Sequence, residues 1–310
     1  MSVTEDQLVA WLEGQRRLDG GRVPIGIGDD MAQVRLEGGD SVFITTDMLL
    51  EGVHFDLAKA TLEQAGYKAM ASSLSDCAAM ATRPRAAVVS VGLPPRFGAK
   101  EVRRVHTGIL QAADKYDCPV VGGDMTRWAG PSPFVINVAM LSTLAGSRPI
   151  TRSGAKVGDC ICVTGLLGGS LAGRHLDFEP RVREAMQIAG TVDIHAMMDI
   201  SDGLASDLPR ICRRSGVGAL LDAQALPISQ QARASADPVH GALCDGEDFE
   251  LLFTLSETDC RRLLKTWNEP VPVTCIGTTT GTGKVQIRDA DGHIRDLKDR
   301  GYDHFSHGND

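Results

Sequence analysis

Thr45-Thr46-Asp47-Met48-Leu49-Leu50-Glu51-Gly52-Val53-His54-Phe55 follows directly on the apolar run Val42-Phe43-Ile44. Residues 42–45 read as a strand, which places Thr45-Thr46-Asp47 at its carboxyl end. That end is where open α/β sheets bind ligands. Outward from it, a helix rich in small residues is expected over 64–80 and a strand over 86–93. A helix over 100–116, a short strand over 120–121 and a strand over 134–141 follow. The polar segment 148–159, with Pro149, Gly154 and Gly158, is the expected division between residues 1–147 and 148–310. Beyond it come a strand over 160–164 running into a glycine-rich turn, a helix over 206–215, and strands over 251–255 and 271–276. This alternation predicts a mixed α/β fold in two halves.

The 310 residues suffice for two domains, and 43% hydrophobic with 23% charged residues is an ordinary globular balance. A net charge of −8 argues against nucleic acid or an anionic membrane as partner. If such a chain handles phosphates, it needs local arginine, lysine or metal. The 8 cysteines contain no C-x-x-C, and Cys160 and Cys162 are the only close pair. Free, partly buried thiols in a reducing cytosol are expected, without zinc or a disulfide framework. Residues 1–18 read as an amphipathic helix with Leu8, Trp11 and Leu12 on one side, not as a signal peptide. No apolar stretch approaches the ~20 residues of a membrane span, so a cytoplasmic location is expected.

Five segments set a carboxylate beside glycine or small residues: Gly26-Ile27-Gly28-Asp29-Asp30, Thr45-Thr46-Asp47, Leu74-Ser75-Asp76, Gly122-Gly123-Asp124 and Asp199-Ile200-Ser201-Asp202-Gly203. Taken singly, several are ordinary turn or capping residues. Asp76 is harder to dismiss, because Ala71, Leu74, Cys77, Ala78, Ala79 and Met80 surround it. A lone buried carboxylate is costly unless paired or metal-bound. Together the segments suit hard cations such as magnesium, shared between carboxylates and phosphates. Clustered carboxylates would repel one another without such ions. Gly281-Thr282-Gly283-Lys284 is not a P-loop, since Val285 replaces the Ser or Thr and the first glycine is missing. His54, Arg152 and the aromatic tail Gly301-Tyr302-Asp303-His304-Phe305 are further candidate contacts. The acids of Gly246-Glu247-Asp248-Phe249-Glu250 read as solvated charges flanking a strand.

These five segments, with the runs 45–55, 246–253 and 301–305, resemble thiamine-monophosphate kinase, in that family's order and over nearly the whole chain. The wider superfamily includes aminoimidazole ribonucleotide synthetase and selenophosphate synthetase. The resemblance implies a two-domain aminoimidazole ribonucleotide synthetase-like fold. An N-terminal mixed-sheet domain would form a homodimer, and a C-terminal α/β domain would follow. It implies ATP- and magnesium-dependent conversion of thiamine monophosphate to thiamine diphosphate. Position by position, Asp30, Thr45, Thr46, Asp47, Asp76, Asp124, Asp199 and Asp202 fall on metal-binding positions. His106, Gly123, Asp124, Arg152 and Ser201 fall on ATP positions. His54, Glu247 and Tyr302 fall on thiamine-phosphate positions, with Phe305 as the alternative aromatic. The pattern departs at Met125, Asp245 and His106. The acceptor phosphate is already a nucleophile, so no catalytic side chain is expected, only positioning and electrostatics in a direct in-line transfer. Two other readings stay open: a relative acting on another small molecule, and a non-enzymatic metal or nucleotide sensor.

Overall fold

The computed structural model describes residues 4–15, 18–297 and 301–302. The first half contains α1 (Glu5–Gln15), β1 (Ala32–Arg35), β2 (Ser41–Leu50), α2 (Leu62–Ala79), β3 (Thr82–Leu93), α3 (Ala99–Lys115), β4 (Val120–Arg127) and β5 (Val135–Leu144). The second contains β6 (Cys160–Thr164), α4 (Val182–Thr191), β7 (Ile194–Asp199), α5 (Leu204–Ser215), β8 (Gly218–Asp222), α6 (Gln230–Arg233) and α7 (Pro238–Cys244). It ends with β9 (Leu251–Leu255), α8 (Glu257–Thr266), β10 (Val273–Thr280), β11 (Val285–Arg288) and β12 (Ile294–Asp296). Two mixed sheets result, ordered β1-β2-β5-β3-β4 and β12-β11-β8-β10-β6-β9-β7. The expected two-sheet α/β organisation is observed.

Helix α2 is the pivot. Thr61 accepts a hydrogen bond from Gln64 N at 3.1 Å while the Gln64 side chain accepts from Thr61 N at 3.0 Å, a reciprocal cap. Its small side chains permit close crossing with α3. A Cβ on Gly66 would stand 2.1 Å from the Val105 carbonyl oxygen, and one on Gly108 only 1.8 Å from that of Glu63. α2 packs on α3, β2 and β5 on one side and on α4 and β7 on the other. One hydrophobic cluster consequently runs from Phe43, Met70 and Ile136 through to Cys162, Ile188 and Phe253. A second cluster fills the other face of the larger sheet, beneath α5 and α7, around Ile161, Leu208 and Leu243.

The five-stranded sheet is covered on one face only. Phe43 and Leu49 of β2 are buried toward α2, whereas Ile44, Met48, Val88 and Leu141 on the opposite face are 37–57% exposed. Two expectations need correction. β2 does not stop at Thr45. It pairs with β5 as far as Leu50, so Asp47 lies inside the strand, opposite Val138. Likewise Gly122-Gly123-Asp124 is no turn, because β4 pairs with β3 from Val120 to Arg127. In both places the partner strand's hydrogen bonds override the local polar sequence. Gly281-Thr282-Gly283-Lys284 joins β10 to β11 with no helix after it, as expected of a segment that is not a P-loop.

Candidate active site

A cavity of about 640 Å³ opens between the two halves, lined among others by Asp47, His54, Lys68, Asp76, Arg152, Asp199, Ser201, Asp202, Glu247 and Tyr302. Strand alternation turns Thr45 and Asp47 toward α2. There the Ser73 hydroxyl donates to Asp47 at 2.6 Å, and Thr45 donates to the Asp76 carboxylate. Ser75, the neighbour of Asp76, donates to Asp199 at 2.6 Å, tying α2 to the carboxyl end of β7. Asp30, just before β1, completes the set. Carboxylate oxygens of Asp30, Asp76 and Asp199 lie within 4.8 Å of one another.

Buried like charges so close cannot all ionise cheaply. At 4.8 Å each ionised pair costs about 3.5 kcal/mol even with an effective dielectric constant near 20. Burial, then the charges of Asp47, Asp199 and Asp30, push Asp76 well above the ordinary carboxylate range. Asp199 is pushed to about 7, mainly by burial and by Asp30. Burial likewise raises Asp47, against the lowering effect of Ser73, and it takes Asp29 to about 6 with Asp30 next to it. One counter-charge is present, Arg152, whose guanidinium meets Asp30 Oδ1 at 2.6 Å. Asp30 Oδ2 is buried and has no hydrogen-bond partner. A hard-oxygen cluster with an orphaned acceptor fits a divalent cation.

The second wall is cationic. Arg210 bridges Asp202 at 2.7 Å and the fully buried Asp207 at 2.6 Å. Arg210 and Arg213 also grip Asp6 of α1, and Arg214 grips Glu13 at 2.8 Å. These ion pairs hold α1, which buries no residue, against the cavity. Ser201 O accepts from Glu247 N at 2.6 Å, and Asp202 O accepts from Tyr302 N at 2.9 Å, so the backbones of both candidate substrate residues are tied to the loop before α5. Lys68 of α2, 1% exposed, donates to the His54 carbonyl at 2.5 Å and pairs with the Glu247 carboxylate. His54 Nδ1 in turn accepts from Leu50 N at 3.0 Å.

The acids beside Glu247 are not solvated, contrary to expectation. Asp248 is 3% exposed and accepts from Gly168 N, Ser170 and Arg174. Glu250, 1% exposed, is held by Thr164 and Arg181. Asp245 accepts from Gly169 N at 2.7 Å, so this position anchors the glycine turn after β6.

Not every candidate reaches the cavity. The exposed Thr46 accepts from Asn137 Nδ2 at 2.8 Å on the open face of the small sheet. Asp124 pairs in register with Ser90, and Ser90 with Asn137, which sets it on that same open face, away from Asp30, Asp76 and Asp199. Gly123 is demanded by packing, since a Cβ there would stand 1.8 Å from the Val89 carbonyl oxygen. His106 is exposed on α3, and Met125 is 61% exposed on β4. Phe305 lies outside the described residues. Sequence reading missed Lys68, Arg210, Arg213 and Arg214. A charge alone among small residues, as at Lys68, was the same signal that marked Asp76. The i, i+3, i+4 spacing of the three arginines on α5 was the signal that could have revealed one cationic face.

The chain matches the family described as AIR synthase related protein, N-terminal domain, over residues 28–144, and its C-terminal domain counterpart over 156–290. Thiamine-monophosphate kinase of Rhodopirellula baltica is 39% identical, covering 89% of this chain and 90% of its own. That of Escherichia coli K12 is 34% identical, covering 94% of each. Among solved structures, AaThiL complexed with AMPPCP and TMP superposes with a TM-score of 0.83 at 29% identity over 97% of both chains. Thiamine-monophosphate kinase from Stenotrophomonas maltophilia gives 0.71 at 28% identity, over 94% of this chain and 98% of its own. A HypE–HypF complex shares the fold alone, with a TM-score of 0.75 at 17% identity, over 94% and 99%. With these identities extending along almost the whole length, the chain belongs to the thiamine-monophosphate kinase family.

Proposed function

We propose that this protein transfers the γ-phosphoryl group of ATP directly to the phosphate of thiamine monophosphate, yielding thiamine diphosphate. The observation that carries this reading is the clustering of Asp30 with Asp76 and Asp199, the latter two lining a cavity that also holds Arg152, Lys68 and Glu247. Two phosphate anions must be brought together there, and positioning with charge neutralisation is the main task in such transfers. The related structure holding AMPPCP and TMP supports the same pair of ligands.

Asp30, Asp47, Asp76, Asp199 and Asp202 would hold magnesium, with Thr45 beside them. Bound there, the ions would neutralise the phosphate oxygens of both substrates. Arg152 and Ser201 serve the ATP phosphates, while His54, Glu247 and Tyr302 receive thiamine monophosphate. Lys68 fixes Glu247 and the His54 backbone in one arrangement. Thr46, Gly123, Asp124 and His106 keep their proposed metal and ATP roles on the strength of the family resemblance. No side chain needs to carry the phosphoryl group.

The protein acts as a homodimer in this reading, built on the open face that exposes Ile44, Met48, Val88 and Leu141. Met48→Asp is then expected to halve the mass seen by light scattering, and an unchanged mass rejects the face. No helix among the described residues is long and apolar enough to cross a membrane. With 8 free cysteines this supports a cytoplasmic site of action. The reaction is tested with purified protein, ATP, magnesium and thiamine monophosphate, reading thiamine diphosphate directly. Product must depend on magnesium and vanish in Asp47→Asn. ATP binding without any diphosphate product would hand the site to a different acceptor.

A further inference from the structure

Four of the 8 cysteines meet in one place, on the face of the larger sheet that packs against α4 and α8. Sγ atoms of Cys160, Cys260 and Cys275 lie within 4.8 Å of one another, and Cys162 Sγ is 3.7 Å from Cys260 Sγ. They come from three elements. Cys160 and Cys162, two apart on β6, share a strand face, while Ile161 and Val163 turn to the opposite core. Cys275 of β10 stands directly opposite Cys162 in the antiparallel ladder. The register shifts between Cys275 and Gly277, a bulge that re-aims the side chain beside it. Cys260 comes from the first turn of α8, where the helix N-terminus favours negative charge.

We propose that Cys160, Cys162, Cys260 and Cys275 form a tetrathiolate site for one zinc ion that staples β6, β10 and α8 together. With Zn–S bonds of about 2.3 Å, the edge of a tetrahedron of thiolates is about 3.8 Å. The observed 3.7 Å contact between Cys162 and Cys260 matches that edge, and the 4.8 Å limit on Cys160, Cys260 and Cys275 leaves room for a single ion, not a cluster. Thiolate donors select a soft metal over magnesium. Four protein ligands leave no open position, which makes the site structural. Its place agrees. Cys160 pairs with Leu255 of β9 and Asp199 with Leu251, so Cys160 lies roughly 13 Å along the strands from Asp199, and Cys162, opposite Phe253, roughly 7 Å, with β9 between them. The sequence concealed the site because its halves lie about a hundred residues apart. Metal entry displaces a proton from each thiol and changes no oxidation state.

Full-length protein, purified without chelator or added metal, is analysed by inductively coupled plasma mass spectrometry. One zinc per chain is expected, lost in large part from Cys260→Ser and from Cys275→Ser but retained in Cys118→Ser. Because a serine variant can fail to fold, wild-type protein is also stripped, reduced and titrated with cobalt(II). Intense visible bands and sulfur-to-cobalt charge transfer, saturating at one equivalent, are expected. Weak, oxygen-type cobalt spectra alone would assign all binding to the carboxylates and overturn the proposal. So would iron or copper in place of zinc, or an intact mass short by two hydrogens, which marks a disulfide.

Discussion

Three carboxylates converge at the cavity and three thiols inside the larger sheet's helical layer, each set with its ligand atoms within 4.8 Å of one another. Asp30 and Asp199 are as thoroughly buried as Cys160 and Cys260. Their electrostatics differ. A buried thiol stays neutral and packs as a small apolar group, so the cysteine set tolerates an empty state. The aspartates are ionised in water; burial first, and then the charges of neighbouring carboxylates, push Asp76 and Asp199 upward. An acidic cluster therefore stores a tension that, in the proposed reaction, a cation and its phosphates would relieve on each turnover. A thiol cluster, once loaded, has no reason to open.

The sharpest way to break this contrast is a pair of substitutions. Asp76→Asn is expected to cut turnover by roughly 10²–10³-fold or more, the scale of losing a main electrostatic contact, while the metal-free fold becomes more stable. Cys260→Ser should leave turnover near wild type. Steady-state rates with thermal melts check both, and loss of activity in Cys260→Ser would merge the two clusters functionally. Next in size is Lys68→Met. Removing one partner of a buried pair costs about 3 kcal/mol or more, and here it also frees the loop carrying Glu247. Denaturant titration reads the stability, and KM for thiamine monophosphate should rise more than KM for ATP. Equal rises would detach Lys68 from the acceptor side.

The smallest effect is in pH. Burial and the neighbouring Asp30 push Asp199 up to about 7 in the folded, metal-free chain, from an ordinary 3.8. A raised carboxylate pKa means that the native state holds the proton longer than the unfolded state. Its stabilising contribution is complete below about 4 and is lost as pH rises toward 7. In chelator, the melting temperature should fall across that window, and magnesium should restore it at pH 7 far more than at pH 5. A flat profile would show that the carboxylates share no charge strain.

The local half of this site was legible. Asp76 announced its burial through Ala71, Leu74 and Ala78, and Asp47 through the strand before it. What brought them to Asp199 was not, since Ser75 reaches that carboxylate across 124 residues of chain. The extents of β2 and β4 were hidden for the same reason: β5 and β3 decide them. β7 lacked alternation because the larger sheet is covered on both faces and nearly all of that strand is buried. Asp248 and Glu250 read as surface charges because Arg174 and Arg181, which neutralise them, are about 70 residues away.

Helix α2 has one more consequence, for how the chain comes apart. Fifteen of its residues are buried, and most of its apolar ones belong to a hydrophobic cluster that crosses the boundary between the halves. Neither sheet can lose its packing without stripping the other's. Unfolding should be a single cooperative event, and a fragment ending at residue 147 would present the bare flank of α2 to solvent, prone to aggregate before it could work.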